Sequence, residues 1–268
     1  MYCGYDLKFI TEDTLDGDRY YESCYEDGLK RFLKQKKEIN NILEDFALNN
    51  GTLDGSAMQK NWFPLLKSDI FISHSHSDNK AAIILSELLW KRFQLTAFID
   101  SCVWGYSNDL LKQIDDIYCL NDNGGIYNYT KRNYSTSHVH MMLLTALMMM
   151  IDNCECMFFL DTPNSINTED IINECTNSPW IYSEINISRL IKRRFSKRQQ
   201  KQRIQESLQK SSTENFSLKI KYELNKSHFS ELTEDNFISW LETYDEEKHP
   251  LDVLYELVPP EKRGVIYG

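Results

Sequence analysis

The segment Ser68-Asp-Ile-Phe-Ile-Ser-His-Ser-His-Ser-Asp78 is the part of this chain that best predicts its fold class. It begins with three consecutive apolar residues at 70–72, which are typical of a short buried strand. A polar loop follows, and beyond Asp78 the apolar residues recur at helical spacing. We expect Asp78 to cap that helix. A buried strand that leads directly into a helix predicts one βα unit of a parallel sheet.

Further strands and helices alternate along the chain after this unit. Thr96-Ala-Phe-Ile-Asp100 and Cys156-Met-Phe-Phe-Leu160 read as the next two strands, and residues 137–151 read as a helix buried against the sheet. Apolar and polar residues alternate over 216–222, which predicts a half-exposed edge strand. The predicted fold class is α/β, with a flavodoxin-like parallel sheet of four to five strands flanked by helices.

The chain divides into three predicted segments. Residues 1–20 are polar without a regular pattern, and a helical stripe follows, so residues 1–65 are expected to form an N-terminal helical extension. Residues 66–225 carry the alternating strands and helices of the α/β domain. Residues 226–268 hold two short apolar-periodic stretches, at about 232–243 and 250–257, which predict a helical C-terminal segment.

A second informative segment is Ser178-Pro-Trp-Ile-Tyr-Ser-Glu184. A polar loop over 161–179 leads into a predicted helix over 180–191, and the start of this helix places Trp180 and Glu184 four residues apart on one face. Taken alone, this spacing is more typical of a core tryptophan followed by a solvated glutamate. In open parallel sheets, ligands bind beyond the carboxyl ends of the strands, so Glu184 could face a cleft there.

Together, these segments resemble the TIR (Toll/interleukin-1 receptor) domain family. The stretch 69–74 is similar to the first strand of that family, 97–100 to its second strand, 101–111 lies at the position of its BB loop, and 178–184 is similar to its W-x-x-x-E helix. The resemblance extends from about residue 68 to residue 191. It is greatest to the prokaryotic TIR proteins that act in Thoeris anti-phage defence.

The resemblance implies a TIR fold and an enzyme that cleaves the bond between nicotinamide and ribose in NAD+. Glu184 would be the catalytic carboxylate. The substrate-binding residues carried over are Ser73, His74, Asp78, Trp104 and Trp180. NAD+ would be the substrate, with no further cofactor and no metal. The product would be ADP-ribose, or a cyclic or conjugated ADP-ribose signal sensed by a downstream effector, and activation would involve a homo-oligomer.

Two other functions fit parts of the sequence. His74-Ser-His76-Ser-Asp78 supplies two imidazoles and a carboxylate on one loop, which suits a zinc-dependent hydrolase. Asn79 stands where the metallo-β-lactamase motif requires a further histidine. The other alternative is a non-catalytic TIR scaffold that acts by self-assembly. Trp104 and the tyrosines around it either form such an adhesive surface or pack inside the domain.

Composition narrows the location and the partners of the protein. No stretch reaches the roughly 20 apolar residues that a membrane span requires, and the start of the chain has no signal-peptide pattern. The seven scattered cysteines are expected to be buried hydrophobes in a reducing, cytoplasmic setting. The chain has a net charge of −10, but residues 189–203 form a basic run. It has no ladder of interleaved aromatic residues on which bases could stack, so a nucleic-acid partner is not expected.

Overall fold

A computed structural model describes most of the chain. The described residues are 3–10, 18–36, 43–48, 52–104, 107–121, 125–166, 175–176, 178–191, 222–243 and 247–261. The basic run therefore lies outside the described residues after Ile191, and so does the part of the alternating segment that precedes Tyr222.

The centre of the molecule is a parallel sheet of five strands, which confirms the predicted α/β fold class. The strands are β1 (Cys3–Leu7), β2 (Ile70–Ser73), β3 (Ala97–Phe98), β4 (Cys156–Leu160) and β7 (Phe229–Glu231). Their order across the sheet is β3-β2-β4-β1-β7. Every residue of β1, β2 and β4 is buried, as expected for a parallel sheet covered on both faces.

The first three positions of the sheet follow the flavodoxin-like strand order, but the fourth position is filled by a strand from a different part of the chain. In a flavodoxin-like sheet of order 2-1-3-4-5, the first three strands of the chain occupy the first three positions. Here β3, β2 and β4 fill those positions, and the N-terminal strand β1 fills the fourth. Strand β1 therefore lies inside the sheet, next to β4, which follows about 150 residues later in the chain.

The expectation of irregular structure over residues 1–20 is wrong, because β1 lies there. The predicted helical extension thus begins with an inner strand of the sheet, paired with β4 on one side and with β7 on the other. The sequence Cys-Gly-Tyr-Asp-Leu does not predict a strand, since it lacks β-branched residues and contains glycine and aspartate, which are rare in strands. Pairing with β4 and β7 stabilises the strand despite this low propensity.

The described residues also form helices. In chain order they are α1 (Arg19–Lys36), α2 (Gly55–Trp62), α3 (Asn79–Phe93), α4 (Asp100–Val103), α5 (Ser107–Ile114), α6 (Tyr129–Asn153), α7 (Pro179–Leu190), α8 (Glu234–Glu242) and α9 (Pro250–Leu257). The two helices predicted near the C-terminus are confirmed as α8 and α9. α6 begins eight residues before its predicted start, because Tyr129 and Tyr134 belong to the helix and not to a loop.

One face of the sheet shows how the C-terminal helices are attached. The ring of Tyr5 in β1 lies edge-on to Phe158, with ring centroids 6.0 Å apart, and stacks on Tyr255 of α9 at 6.5 Å. The Tyr5 hydroxyl donates a 2.7 Å hydrogen bond to the carbonyl of Val258. Trp240 of α8 stacks on Phe93 of α3 on the same side, at 4.4 Å. The C-terminal helices are thus part of the main core.

The chain forms two compact units, each assembled from distant segments. The sheet unit consists of residues 1–29, 67–99 and 151–268, and the helical unit consists of residues 30–66 and 100–150. A short antiparallel ribbon, β5 (Cys175–Thr176) with β6 (Tyr222–Glu223), belongs to the sheet unit. Tyr222, predicted at the edge of the main sheet, is therefore part of this separate ribbon, and β7 forms that edge.

The cysteines and the helix lengths agree with two simpler expectations. None of the seven cysteines, all of which the structure describes, is part of a disulfide, and six of them are buried. Burial raises the pKa of the Cys154 thiol to about 12, so this side chain behaves as a small apolar group. Among the helices that the structure describes, none is long and apolar enough to cross a membrane.

Candidate active site

The carboxyl ends of β2 and β4 form the topological switch point of the sheet. From β2 the chain continues to β3 on one side, whereas β4 pairs with β2 on the other side. Strand connections that diverge in this way leave a crevice beyond the strand ends, where ligands bind in open α/β sheets. The residues that follow β2 and β4 are therefore the first place to look for a site.

Glu184 lies at this switch point, buried and hydrogen-bonded to the end of β2. Ser73, the last residue of β2, donates a hydrogen bond of 2.5 Å from Oγ to Glu184 Oε2. Ser73 is fully buried, and Glu184 is 3% exposed. The structure thus brings together two of the residues singled out in the sequence, 111 positions apart in the chain. A carboxylate held this way has a fixed position and little contact with water.

The helix that carries Glu184 starts at Pro179, one residue before its predicted start at Trp180. Ser178 caps α7, and its side chain accepts a 3.3 Å hydrogen bond from the N–H of Ile181. Pro179 is the first helical residue, a position at which the missing N–H costs no helical hydrogen bond. Trp180 is half-buried and lies one turn before Glu184, on the same side of α7.

Asp78 has a different role from the predicted helix cap. It stands before α3, but its side chain makes no capping hydrogen bond there. Thr162 Oγ1 instead donates to one carboxylate oxygen of Asp78 at 2.6 Å, and Asn164 Nδ2 donates to the other at 2.8 Å. Both donors follow β4, so Asp78 ties the loop after β2 to the loop after β4. The cap prediction is wrong because these tertiary donors outcompete the local N–H groups.

The two loop histidines lie in different environments. His74 is buried, with Nδ1 3.4 Å from the carbonyl oxygen of Ile72, whereas His76 is exposed. Asp78, the third member of the zinc hypothesis, is engaged by Thr162 and Asn164. Within the described ranges, no three histidine, cysteine, aspartate or glutamate side chains are grouped to hold a metal ion. The zinc alternative therefore gains no support from the geometry.

Trp104 belongs to the helical unit, not to the unit that contains Glu184. It is 3% exposed, and its indole N–H donates a 3.1 Å hydrogen bond to the carbonyl of Pro64. Its ring lies edge-on to Phe63, with centroids 6.0 Å apart. Of the two arrangements considered for this residue, the structure has Trp104 packed inside. Its contribution to an NAD+ site stays a prediction.

A buried charge cluster lies beside the switch point, on the same face of the sheet. In the register, Ser73 and Asp6 both stand opposite Phe159, so the three side chains project to one side. Lys226 Nζ donates to Asp6 Oδ2 at 2.9 Å and to Asp161 Oδ2 at 2.5 Å. The side chain of Lys226 is 6% exposed. The cluster thus contains two acidic side chains and one basic side chain, all of them largely buried from solvent.

Burial sets the electrostatics of this cluster. Loss of hydration raises the pKa of Asp6 from its usual 3.8 to about 6; the neighbouring carboxylate of Asp161 adds to this rise, and Lys226 opposes it. Burial alone would lower the pKa of Lys226, but the two carboxylates outweigh it and raise the value to about 12. Asp6 Oδ1 has no hydrogen-bond partner among the described residues, which fits a side chain that ionises reluctantly.

The sequence alone does not identify several residues of this region as functional. Thr162 and Asn164, which hold Asp78, stand in an ordinary polar loop. Asp6 gives a weak signal, because it is a charged residue next to apolar neighbours, but Lys226 gives none. Their importance follows only from contacts between segments that are far apart in the chain.

Comparisons with protein-family models, curated protein sequences and solved structures give no match. A function for this chain therefore rests on the residues and distances given above, and on the motifs at 68–78 and 178–184.

Proposed function

We propose that this protein is a TIR-type NAD+ nucleosidase in which Glu184 is the catalytic residue. The observation that carries the proposal is the position of the Glu184 carboxylate. It lies at the switch point of a parallel sheet, buried, and oriented by the hydroxyl of Ser73. The motifs that resemble TIR domains are the ones that supply both residues.

The reaction suits a single fixed carboxylate. The bond between ribose C1′ and the nicotinamide nitrogen breaks, and its electron pair leaves with the neutral nicotinamide. The ribose that remains carries positive charge of the oxocarbenium type, which a nearby carboxylate stabilises. Water then adds at C1′ and releases a proton, which gives ADP-ribose. If a second nucleophile adds in place of water, a cyclic or conjugated product results.

The remaining predicted residues would bind the substrate around Glu184. The first N–H groups of α3, which the Asp78 side chain leaves uncapped, favour a pyrophosphate. Ser73, His74 and Asp78 lead into that helix, and Trp180 offers an aromatic wall one turn before Glu184. Trp104, the remaining residue of that set, lies in the helical unit, and the proposal assigns it no contact with Glu184 or with the substrate beside it. In the cell, we propose that the product serves as a cytoplasmic signal in anti-phage defence, with an oligomer as the active form and a downstream effector as the receiver.

The test is NAD+ turnover by purified protein, with products identified by mass spectrometry. Glu184→Gln keeps the shape of the side chain and its ability to accept from Ser73, but removes the charge that the transition state requires. We expect its turnover to fall by about a hundredfold or more, with a melting temperature close to that of the wild type. Glu87→Gln is the matched control, since Glu87 is also a buried glutamate of the sheet unit, on α3. It should retain wild-type turnover.

Two results would contradict the proposal. One is wild-type turnover by Glu184→Gln under conditions in which the wild type is active. The other is that turnover falls in both variants only in proportion to the folded protein that each one loses. Glu184 would then be a structural link between α7 and β2.

A further inference from the structure

The helical unit contains a large cavity that the proposed reaction does not use. Its volume is about 1050 Å³, at the upper end of the range of small-molecule sites. Most of its wall is apolar. The apolar side chains come from the start of α2, the end of α5 and one side of α6, and they include Leu53, Met58, Ile114 and Met142. Tyr118 and Tyr134, both exposed, stand at its opening.

Two features maintain this space between the helices. Gly55, at the start of α2, has no side chain, and a Cβ at that position would lie 3.3 Å from the terminal methyl group of Met142. Elsewhere in the lining, the chain leaves α5 through a single π-helical turn, Asp115–Cys119, which contributes Tyr118 and Cys119. Such turns are rare and occur frequently at functional sites, because they move side chains out of the regular helical positions.

The acidic groups behind this wall are already neutralised. Asp115 is buried and accepts hydrogen bonds from Ser135 Oγ at 2.6 Å and from Arg132 Nε at 2.8 Å. Asp116 pairs with Lys112 at 2.5 Å and also accepts from the hydroxyl of Tyr127. Neither carboxylate is among the residues that line the cavity.

The lining itself has a positive bias in a protein of net charge −10. Among the described residues that line the cavity, there is no aspartate and no glutamate. Lys131 and His138 both line it and are seven positions apart on α6, so they project from the same side. The ammonium group of Lys131 forms no ion pair within the part of the chain that the structure describes. His138 offers a ring N–H beside Tyr134, with ring centroids 4.5 Å apart.

We propose that this cavity binds a small apolar molecule that carries one anionic group. The apolar body would occupy the space between Met58 and Met142, and the anion would accept hydrogen bonds from Lys131 and His138 at the opening. The lining also favours an anionic ligand over a cationic one. A ligand that carries a positive charge would find no acidic side chain among the described lining residues. The proposal is independent of the NAD+ reaction, because every residue in it belongs to the helical unit.

The test uses two fluorescent probes with the same aromatic rings, of which only one is charged. Anilinonaphthalene sulfonate carries the anion, and phenylnaphthylamine lacks it. We expect saturable binding of the sulfonate to the intact chain at one site, with displacement by decanoate. The combined substitution Lys131→Gln and His138→Gln should weaken sulfonate binding by about tenfold or more, because charge-assisted hydrogen bonds are lost. Binding of phenylnaphthylamine should change by less than about twofold.

Two further variants separate the site from general surface binding. Met142→Trp places a larger side chain in the cavity and should weaken the binding of both probes. Lys112→Gln removes another lysine of the same unit, one that is exposed and paired with Asp116 and does not line the cavity. It should bind both probes as the wild type does. Thermal melts of all variants ensure that only folded protein is compared, and the lysine–histidine variant remains informative if Met142→Trp does not fold.

The proposal is overturned if neither probe binds saturably to the folded wild type. It is also overturned if the sulfonate binds with equal affinity to the wild type and to the variant that lacks Lys131 and His138, since the anion would then be held elsewhere.

Discussion

At the scale of single residues, the polar side chains buried at the carboxyl edge of the sheet dominate the chemistry. Ser73, Glu184, Asp78 and Asp6 are all nearly inaccessible to water. Each ionisable group among them has a specific donor, since a buried charge without a partner would cost several kcal/mol. The edge is therefore rigid, and small chemical changes there should have measurable effects.

Asp6 should make the stability of this protein depend on pH. Its pKa is raised from 3.8 to about 6 on folding, so the folded protein binds this proton more tightly than the unfolded chain does. The stability that this proton contributes is present at about pH 4 and is lost as the pH rises through about 6. Asn cannot ionise, so Asp6→Asn escapes this loss. Relative to the wild type, its free energy of unfolding should rise between about pH 4 and about pH 7, by on the order of 3 kcal/mol.

Urea denaturation of both proteins across this pH range is the measurement. Phe229→Leu is the control, because it alters the same sheet without changing a titratable group, and its stability difference should be independent of pH. A difference between Asp6→Asn and the wild type that stays constant or shrinks as the pH rises would contradict the raised pKa.

At the scale of elements, the inner strand β1 depends on a glycine. A Cβ on Gly4 would lie 2.3 Å from a ring carbon of Phe229, in the neighbouring strand β7. Phe229 also packs against Phe159 of β4, with ring centroids 6.4 Å apart. The ring thus crosses above β1 at Gly4, and only a residue without a side chain leaves room for it.

Gly4→Ala should lower the free energy of unfolding by about 1–3 kcal/mol, the usual cost of overpacking a well-filled core. Gly55→Ala is the matched control: its new methyl group would meet only the flexible end of Met142, at 3.3 Å, and a helical position favours alanine. It should be neutral or stabilising. Chemical denaturation of both variants tests this, and the double variant Gly4→Ala with Phe229→Leu should recover part of the loss. Full stability of Gly4→Ala would show that the Phe229 ring moves freely.

At the scale of the whole molecule, the two ends of the chain complete the sheet. β1 comes from the first residues and β7 from near the C-terminus, and both lie beyond β4. The C-terminal helix α9 covers β1 through Tyr255. The middle of the chain therefore lacks two of the five strands.

We expect a fragment of residues 66–225, the predicted α/β domain, not to fold on its own. Without β1, strand β4 would expose its backbone hydrogen-bonding groups on one side, and the helices that cover the sheet would lose their packing partners. Circular dichroism with thermal melting, compared with the intact chain in the same buffer, tests this. A cooperative melt of the fragment would show that residues 66–225 are an independent domain and that β1 and β7 are additions to it.

Local sequence patterns predict the features that depend on neighbouring residues. The apolar runs of β2 and β4 identify buried strands, the spacing of Trp180 and Glu184 indicates α7, and apolar periodicity gives the two C-terminal helices, because each of these patterns acts within about one turn or one strand. The remaining features depend on contacts between distant segments. Lys226 binds Asp6, which is 220 positions away in the chain, and Thr162 binds Asp78, which is 84 positions away. Strand β1 has a low β-propensity and is stabilised by pairing on both sides. Such contacts depend on how the whole chain packs, since burial makes these polar partners and backbone pairs necessary, and no local pattern encodes which distant residue supplies them.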